Sequence, residues 1–155
     1  MSKVFISHQK RDSEQATNVA DYLKYYGIGY YLDIYDKIKG SSGFPIENYL
    51  IDVMNSCTHF LTILSNNTED SWWVPFEIGV ATDKDIPIAN YFYKRIEIPS
   101  YLENWPKLFN LRDLDKYIKL IKIGRHEMLL DHKIAGIYPR YSEVFHRELK
   151  EQLNY

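Results

Sequence analysis

For most of its length this sequence alternates short apolar runs with stretches whose apolar residues recur at helical spacing, and the connections between the runs are too long for hairpins. Parallel strands need such crossovers, usually helical ones, whereas antiparallel strands can be joined by tight turns. The alternation therefore predicts an α/β fold with right-handed crossovers and a doubly wound, mainly parallel sheet. His59 to Leu64 (His-Phe-Leu-Thr-Ile-Leu) carries the argument best. It is nearly continuous in apolar character, as suits a parallel strand covered on both faces. Val4 to Ile6, Tyr30 to Ile34 and Ile86 to Tyr93 read as further strands, with Lys107 to Leu111 as a short fifth.

The helices follow from periodicity and punctuation. Asp12 or Ser13 caps the first, and Asp12 with Gln15 has capping-box spacing. Ala16, Val19, Ala20 and Leu23 mark its inner face, and Gly27 lies just past its end. Pro45 suits the first position of a second helix, whose stripe is Ile46, Tyr49, Leu50, Val53 and Met54. Trp72 to Thr82 reads as a third helix. Asp113 to Lys122 reads as another, from Leu114, Tyr117, Ile118 and Ile121. Beyond Lys122, Pro139 separates two more helices, the latter at about Tyr141 to Leu153. The expected organisation is a domain over residues 1–122 with a helical C-terminal extension, 123–155, packed on it.

Composition narrows the function. The chain of 155 residues is 45% hydrophobic and 26% charged, which is globular, and its net charge of −2 comes from intermixed signs. A nucleic-acid binder would carry a basic face, so none is expected as partner. Cys57 is the single cysteine, which excludes an internal disulfide and suits a reducing compartment. The sequence has no signal-peptide pattern and no apolar stretch near the roughly 20 residues that cross a bilayer. A cytoplasmic protein with no membrane partner is expected.

In parallel sheets of this kind ligands bind beyond the carboxyl ends of the strands. The first loop there, Ser7-His8-Gln9-Lys10-Arg11, precedes a helix N-terminus, where free N–H groups and the helix dipole favour an anion. It lacks the glycine fingerprint of a phosphate loop, so a solvated cap is the preferred reading of this loop taken alone. The second loop carries Gly40 and Gly43 around Ser41 and Ser42. It follows Asp33 and Asp36, which are either ribose-hydroxyl ligands or solvated turn carboxylates. The third leads into Trp73-Val74-Pro75-Phe76-Glu77, where the Trp73 ring and the Glu77 carboxylate fall one turn apart on one helix face. Glu77 lies among Trp72, Phe76, Ile78 and Val80, an apolar setting in which a carboxylate has either a purpose or a cationic partner at the surface.

Several segments together resemble bacterial Toll/interleukin-1 receptor (TIR) domains. They are Lys3-Val4-Phe5-Ile6-Ser7-His8, Asp12, Tyr31-Leu32-Asp33 with its Gly-Ser-Ser-Gly loop, and Ser71-Trp72-Trp73 leading to Glu77-Ile78-Gly79-Val80-Ala81. Pro99-Ser100-Tyr101-Leu102 and Asn110-Leu111 extend the likeness, which runs over residues 3–122 and leaves the extension uncovered. The resemblance implies a flavodoxin-like fold with five parallel strands and helices on both faces. It also implies cleavage of the nicotinamide–ribose bond of NAD+, a substrate rather than a resident cofactor, with Glu77 as the catalytic residue. No metal is implied. With that substrate, the candidate binding set drawn from these loops is Ser7, His8, Lys10, Arg11, Asp33, Asp36, Ser41, Trp73 and Phe76, with Ser7, Lys10 and Arg11 as candidates for the diphosphate. The loop Asp36 to Gly43 would change shape as subunits self-associate through TIR–TIR contacts. Bacterial members often serve antiviral defence; Thoeris-type members make an ADP-ribose-derived signal for a separate effector. Two rivals stand beside this expectation: a non-catalytic TIR module that recruits partners, and a deoxyribosyltransferase-like enzyme acting on free nucleosides.

Overall fold

A computed structural model describes residues 1–32, 45–68, 73–134, 136 and 138–155. Strands β1 (Lys3–Ser7), β2 (Gly29–Leu32), β3 (His59–Leu64), β4 (Ile88–Phe92) and β5 (Lys107–Leu108) form one five-stranded sheet in the order β2-β1-β3-β4-β5. Every pairing is parallel. The helices are α1 (Ser13–Tyr25), α2 (Ile46–Asn55), α3 (Trp73–Asp83), α4 (Leu111–Ile123), α5 (Arg125–Ile134) and α6 (Tyr141–Leu153). The strand order reverses beside β1, so the chain leaves β1 and β3 in opposite directions; sheets of this kind bind ligands beyond the carboxyl ends of the strands at such a switch point.

Alternation along each strand divides the core in two. Val4, Ile6, Leu61, Ile63, Ala89 and Tyr91 meet one layer, built from α1, α4 and α6. Phe5, Phe60, Leu64, Ile88 and Phe92 meet the other, where α2 and α3 contribute Leu50, Met54, Val74, Ile78 and Ala81. All six residues of β3 are buried, as its two-sided apolar character requires. Helix α1 buries Ala16, Val19, Ala20 and Leu23, and Gly27 beyond it takes a positive φ of 77°, which costs glycine little.

Several element ends and caps differ from expectation. Asp12 precedes α1, yet its side chain makes no capping bond, because the carboxylate is used elsewhere. Pro45 lies one residue outside α2. Strand β5 stops at Leu108, since Asn110 caps α4 by accepting from the Asp113 N–H at 3.0 Å.

The last helix is bound to the amino end of the sheet. Tyr141, Val144, Phe145 and Leu149 share one core with Leu114, Tyr117 and Ile121 of α4. Asp85, in the left-handed region with φ 57°, accepts from the N–H groups of Tyr141 (3.1 Å) and Ser142 (2.9 Å) and so caps α6 from the turn after α3. Arg125 approaches the same carboxylate at 3.0 Å. Burial alone would raise the Asp85 pKa; the Ser142 and Tyr141 bonds and Arg125 outweigh it and hold it below the usual value. Two neutral histidines complete the attachment. His146 Nε2 accepts from the Ile88 N–H at 2.8 Å, and His59 Nε2 lies 3.0 Å from the Tyr141 hydroxyl.

Burial pushes His59 from 6.5 to about 3, and burial followed by Lys150 pushes His146 from 6.5 to about 4. A base with a depressed folded pKa leaves the unfolded chain holding the extra proton. Stability is therefore full above the unfolded value and falls as the pH drops toward the folded one. Urea unfolding between about pH 6.5 and 4.5 should show stability declining by up to about 1.4 kcal/mol per pH unit for each of these histidines, and His146→Gln should remove one such share. Asp85→Ala, which uncaps α6, should cost about 1–3 kcal/mol in the same measurement at neutral pH.

Candidate active site

Ser7 is the last residue of β1 and shares a sheet face with Phe5, the face covered by α3. Register places Thr62 of β3 beside Ser7, and Asn90 of β4 beside Thr62. A row of buried polar side chains thus crosses the carboxyl half of the sheet on the face where α3 packs. Thr62 donates to Asn90 Oδ1 at 2.6 Å, while Asn90 Nδ2 finds no partner among the described residues.

Glu77, in the second turn of α3, points into this region with none of its surface exposed. The Ser7 hydroxyl donates to its Oε2. This burial places the Glu77 carboxylate inside the domain and not at its surface. Trp73 lies one turn before Glu77, half-buried against the α2–α3 core and edge-on to Phe76 at 5.8 Å.

A second polar cluster ties the rim loops together. Asp12, 1% exposed, accepts from Ser65 Oγ at 2.6 Å, from Asn67 Nδ2 at 3.0 Å and from the Tyr93 hydroxyl at 2.5 Å. One carboxylate therefore holds the loop after β1, the loop after β3 and the end of β4. Burial, then the Asp12 bond, raises the Tyr93 pKa. His8 is half-buried in the first loop. Its pKa is lowered by burial, against the opposing pull of the Ile6 backbone and Asp12, and its Nδ1 has no hydrogen-bond partner among the described residues.

The remaining residues expected at the site separate. Lys10 and Arg11 occupy a 3-10 turn and are exposed on the rim, while Ser7 faces inward. Phe76 is 36% exposed and lines a shallow groove on the outer side of α3 with Ile51, Pro75, Gly79 and Val80, away from the Ser7–Glu77 contact. Asp33, Asp36, Ser41 and the loop from Asp36 to Gly43 lie outside the described residues, as does Trp72. The sequence reading passed over Thr62, Asn90 and Tyr93, and singled out the loop that carries Ser65 and Asn67 only as a whole. Its one available signal was a polar residue inside an apolar strand: Thr62 in the third, Asn90 in the fourth.

No curated protein matches the chain. Among solved structures it is similar to the TIR domains of the activated Roq1 resistosome directly recognizing the pathogen effector XopQ. The identity is 14%, with 97% of this chain and 84% of that one covered and a TM-score of 0.47. It is also similar to a 3-dehydroquinate dehydratase-like protein from Bifidobacterium longum, at 12% identity, 63% and 76% coverage and a TM-score of 0.42. Both scores are too low to bear on activity. The family model described as TIR domain matches residues 4–125, which span all five strands. On that match the chain belongs to the TIR domain family.

Proposed function

We propose that this TIR domain cleaves the nicotinamide–ribose bond of NAD+, with Glu77 as the catalytic carboxylate. The observation that supports this most is a fully buried glutamate at the carboxyl end of a parallel sheet, held by the hydroxyl of Ser7. Glycosidases usually need two carboxyl groups, because an alkoxide leaving group must be protonated. Nicotinamide leaves from a pyridinium as a neutral molecule: the bond between C1′ and the ring nitrogen breaks, and both electrons go to nitrogen. The protein has only to stabilise the ribosyl cation and orient the sugar. A fixed negative charge in a water-poor setting does both, and one such preorganised group is worth about 3 kcal/mol, or roughly a hundredfold in rate.

The exposed Lys10 and Arg11 would meet the diphosphate at the rim, Trp73 would wall the site, and Asp33 and Asp36 would reach the ribose hydroxyls. Water as acceptor gives ADP-ribose and a proton, an internal atom gives a cyclic product, and another small molecule gives a conjugate. Such a product would serve as a diffusible signal in antiphage defence, with self-association through TIR–TIR contacts as the trigger. Glu77 has no exposed surface in this structure, so the sugar reaches it only after the rim opens. That same burial favours one alternative, in which Glu77 ties α3 to β1 in a TIR module that only recruits partners.

Nicotinamide release at high protein concentration separates the two. Glu77→Gln is expected to abolish it while the melting temperature stays within a few degrees of wild type; undiminished turnover in the folded variant refutes the assignment. Replacing Lys10 and Arg11 together with alanine is expected to raise KM about tenfold, equivalent to about 1.4 kcal/mol, with kcat little changed. Mass spectrometry of the products identifies the acceptor.

A further inference from the structure

We propose that Ser7 is a positioning residue that keeps the Glu77 carboxylate ionised and aimed, an inference that rests on the functional reading above. Ser7 and Glu77 are 70 residues apart in sequence, both have no exposed surface, and the hydroxyl donates directly to Oε2. A hydroxyl on a buried strand has few acceptors, because the strand's own carbonyls are engaged by the ladders on either side. Ser7 pairs with Thr62 of β3, and the preceding Ile6 lies between Leu32 and Leu61. The donor is therefore carried by an interior strand of the sheet, and the acceptor by a helix packed on that strand's face. Donation from the strand directs Oε2 toward the sheet.

The bond also sets the charge state. A hydrogen bond to the ionised form of a buried acid favours that form, and removing it lets the acid take up a proton at higher pH. The reaction needs the ionised form, since a protonated Glu77 offers no charge to a ribosyl cation. Thr62, the neighbour of Ser7 on β3, is the natural control. It is equally buried and equally polar, but it donates to Asn90 and the Ala89 carbonyl. The loop after β1 also carries the ionisable side chains of His8 and Asp12, so the decisive measurement is made on the Glu77 carboxyl itself.

The experiment compares wild type, Ser7→Ala, Ser7→Thr and Thr62→Val. Two readouts are used: the pH dependence of kcat for nicotinamide release, and the carbon-13 titration of the Glu77 side-chain carboxyl, identified as the resonance missing from Glu77→Gln. Ser7→Ala should lower kcat at neutral pH about tenfold, leave KM within about twofold, and move the acid limb and the carboxyl titration up by about one pH unit. Ser7→Thr, which keeps the hydroxyl, should restore the titration, and Thr62→Val should leave it where it is in wild type. An unchanged Glu77 titration in Ser7→Ala, or an equal shift in Thr62→Val, overturns the proposal. If the titration shifts as stated while the wild-type protein releases no nicotinamide under any condition, the NAD+ reading fails and the hold of Ser7 on the Glu77 charge stands.

Discussion

A strand covered on both faces has no water to turn to, and β3 is such a strand. Its backbone is satisfied by β1 and β4, and its polar side chains must find protein partners at either end. Thr62 gives its hydroxyl to Asn90, and His59 sits between the Thr58 hydroxyl and that of Tyr141. The remaining residues of β3 divide the apolar core into its two layers. Burying β3 thus dictates which residues can lie on β1 and β4, and it pushes the polar groups toward the two ends of the sheet.

Those two ends have come to differ. At the carboxyl end the polar groups are hydroxyls, amides and carboxylates drawn from separate crossovers, with Asp12 gathering three loops and Ser7 meeting Glu77. At the amino end they are neutral imidazoles and a helix cap that fasten α6 to the sheet. The first arrangement brings together groups that can act on a ligand. The second spends its hydrogen bonds on holding helices in place.

The sequence made some of this legible and hid the rest. β3 and α6 begin and end at the residues expected, because a continuous apolar run and an uninterrupted helical stripe each admit one placement. Glu77 stood out as an acid among apolar neighbours, and Ser7 as a polar residue ending an apolar strand. That they touch could not be read, since the contact joins two crossovers and leaves no periodic trace. Asp12 is the instructive failure. Its spacing to Gln15 fits a local cap, but its carboxylate is taken by Ser65, Asn67 and Tyr93, which lie 53, 55 and 81 residues away. Local rules describe what a residue can do alone, and three distant donors outbid one nearby backbone N–H.

The attachment of α6 has a consequence for where this chain can be cut. The segment matching the family ends at residue 125, before α6 begins. Ending the polypeptide there would strip Tyr117, Ile121 and Leu114 of the apolar surface they pack against, deprive the amide of Ile88 of its acceptor, and leave the His59 ring facing an empty socket. The smallest piece able to stand by itself is therefore longer than the piece that carries the family likeness, and its final helix belongs to the wall of the building.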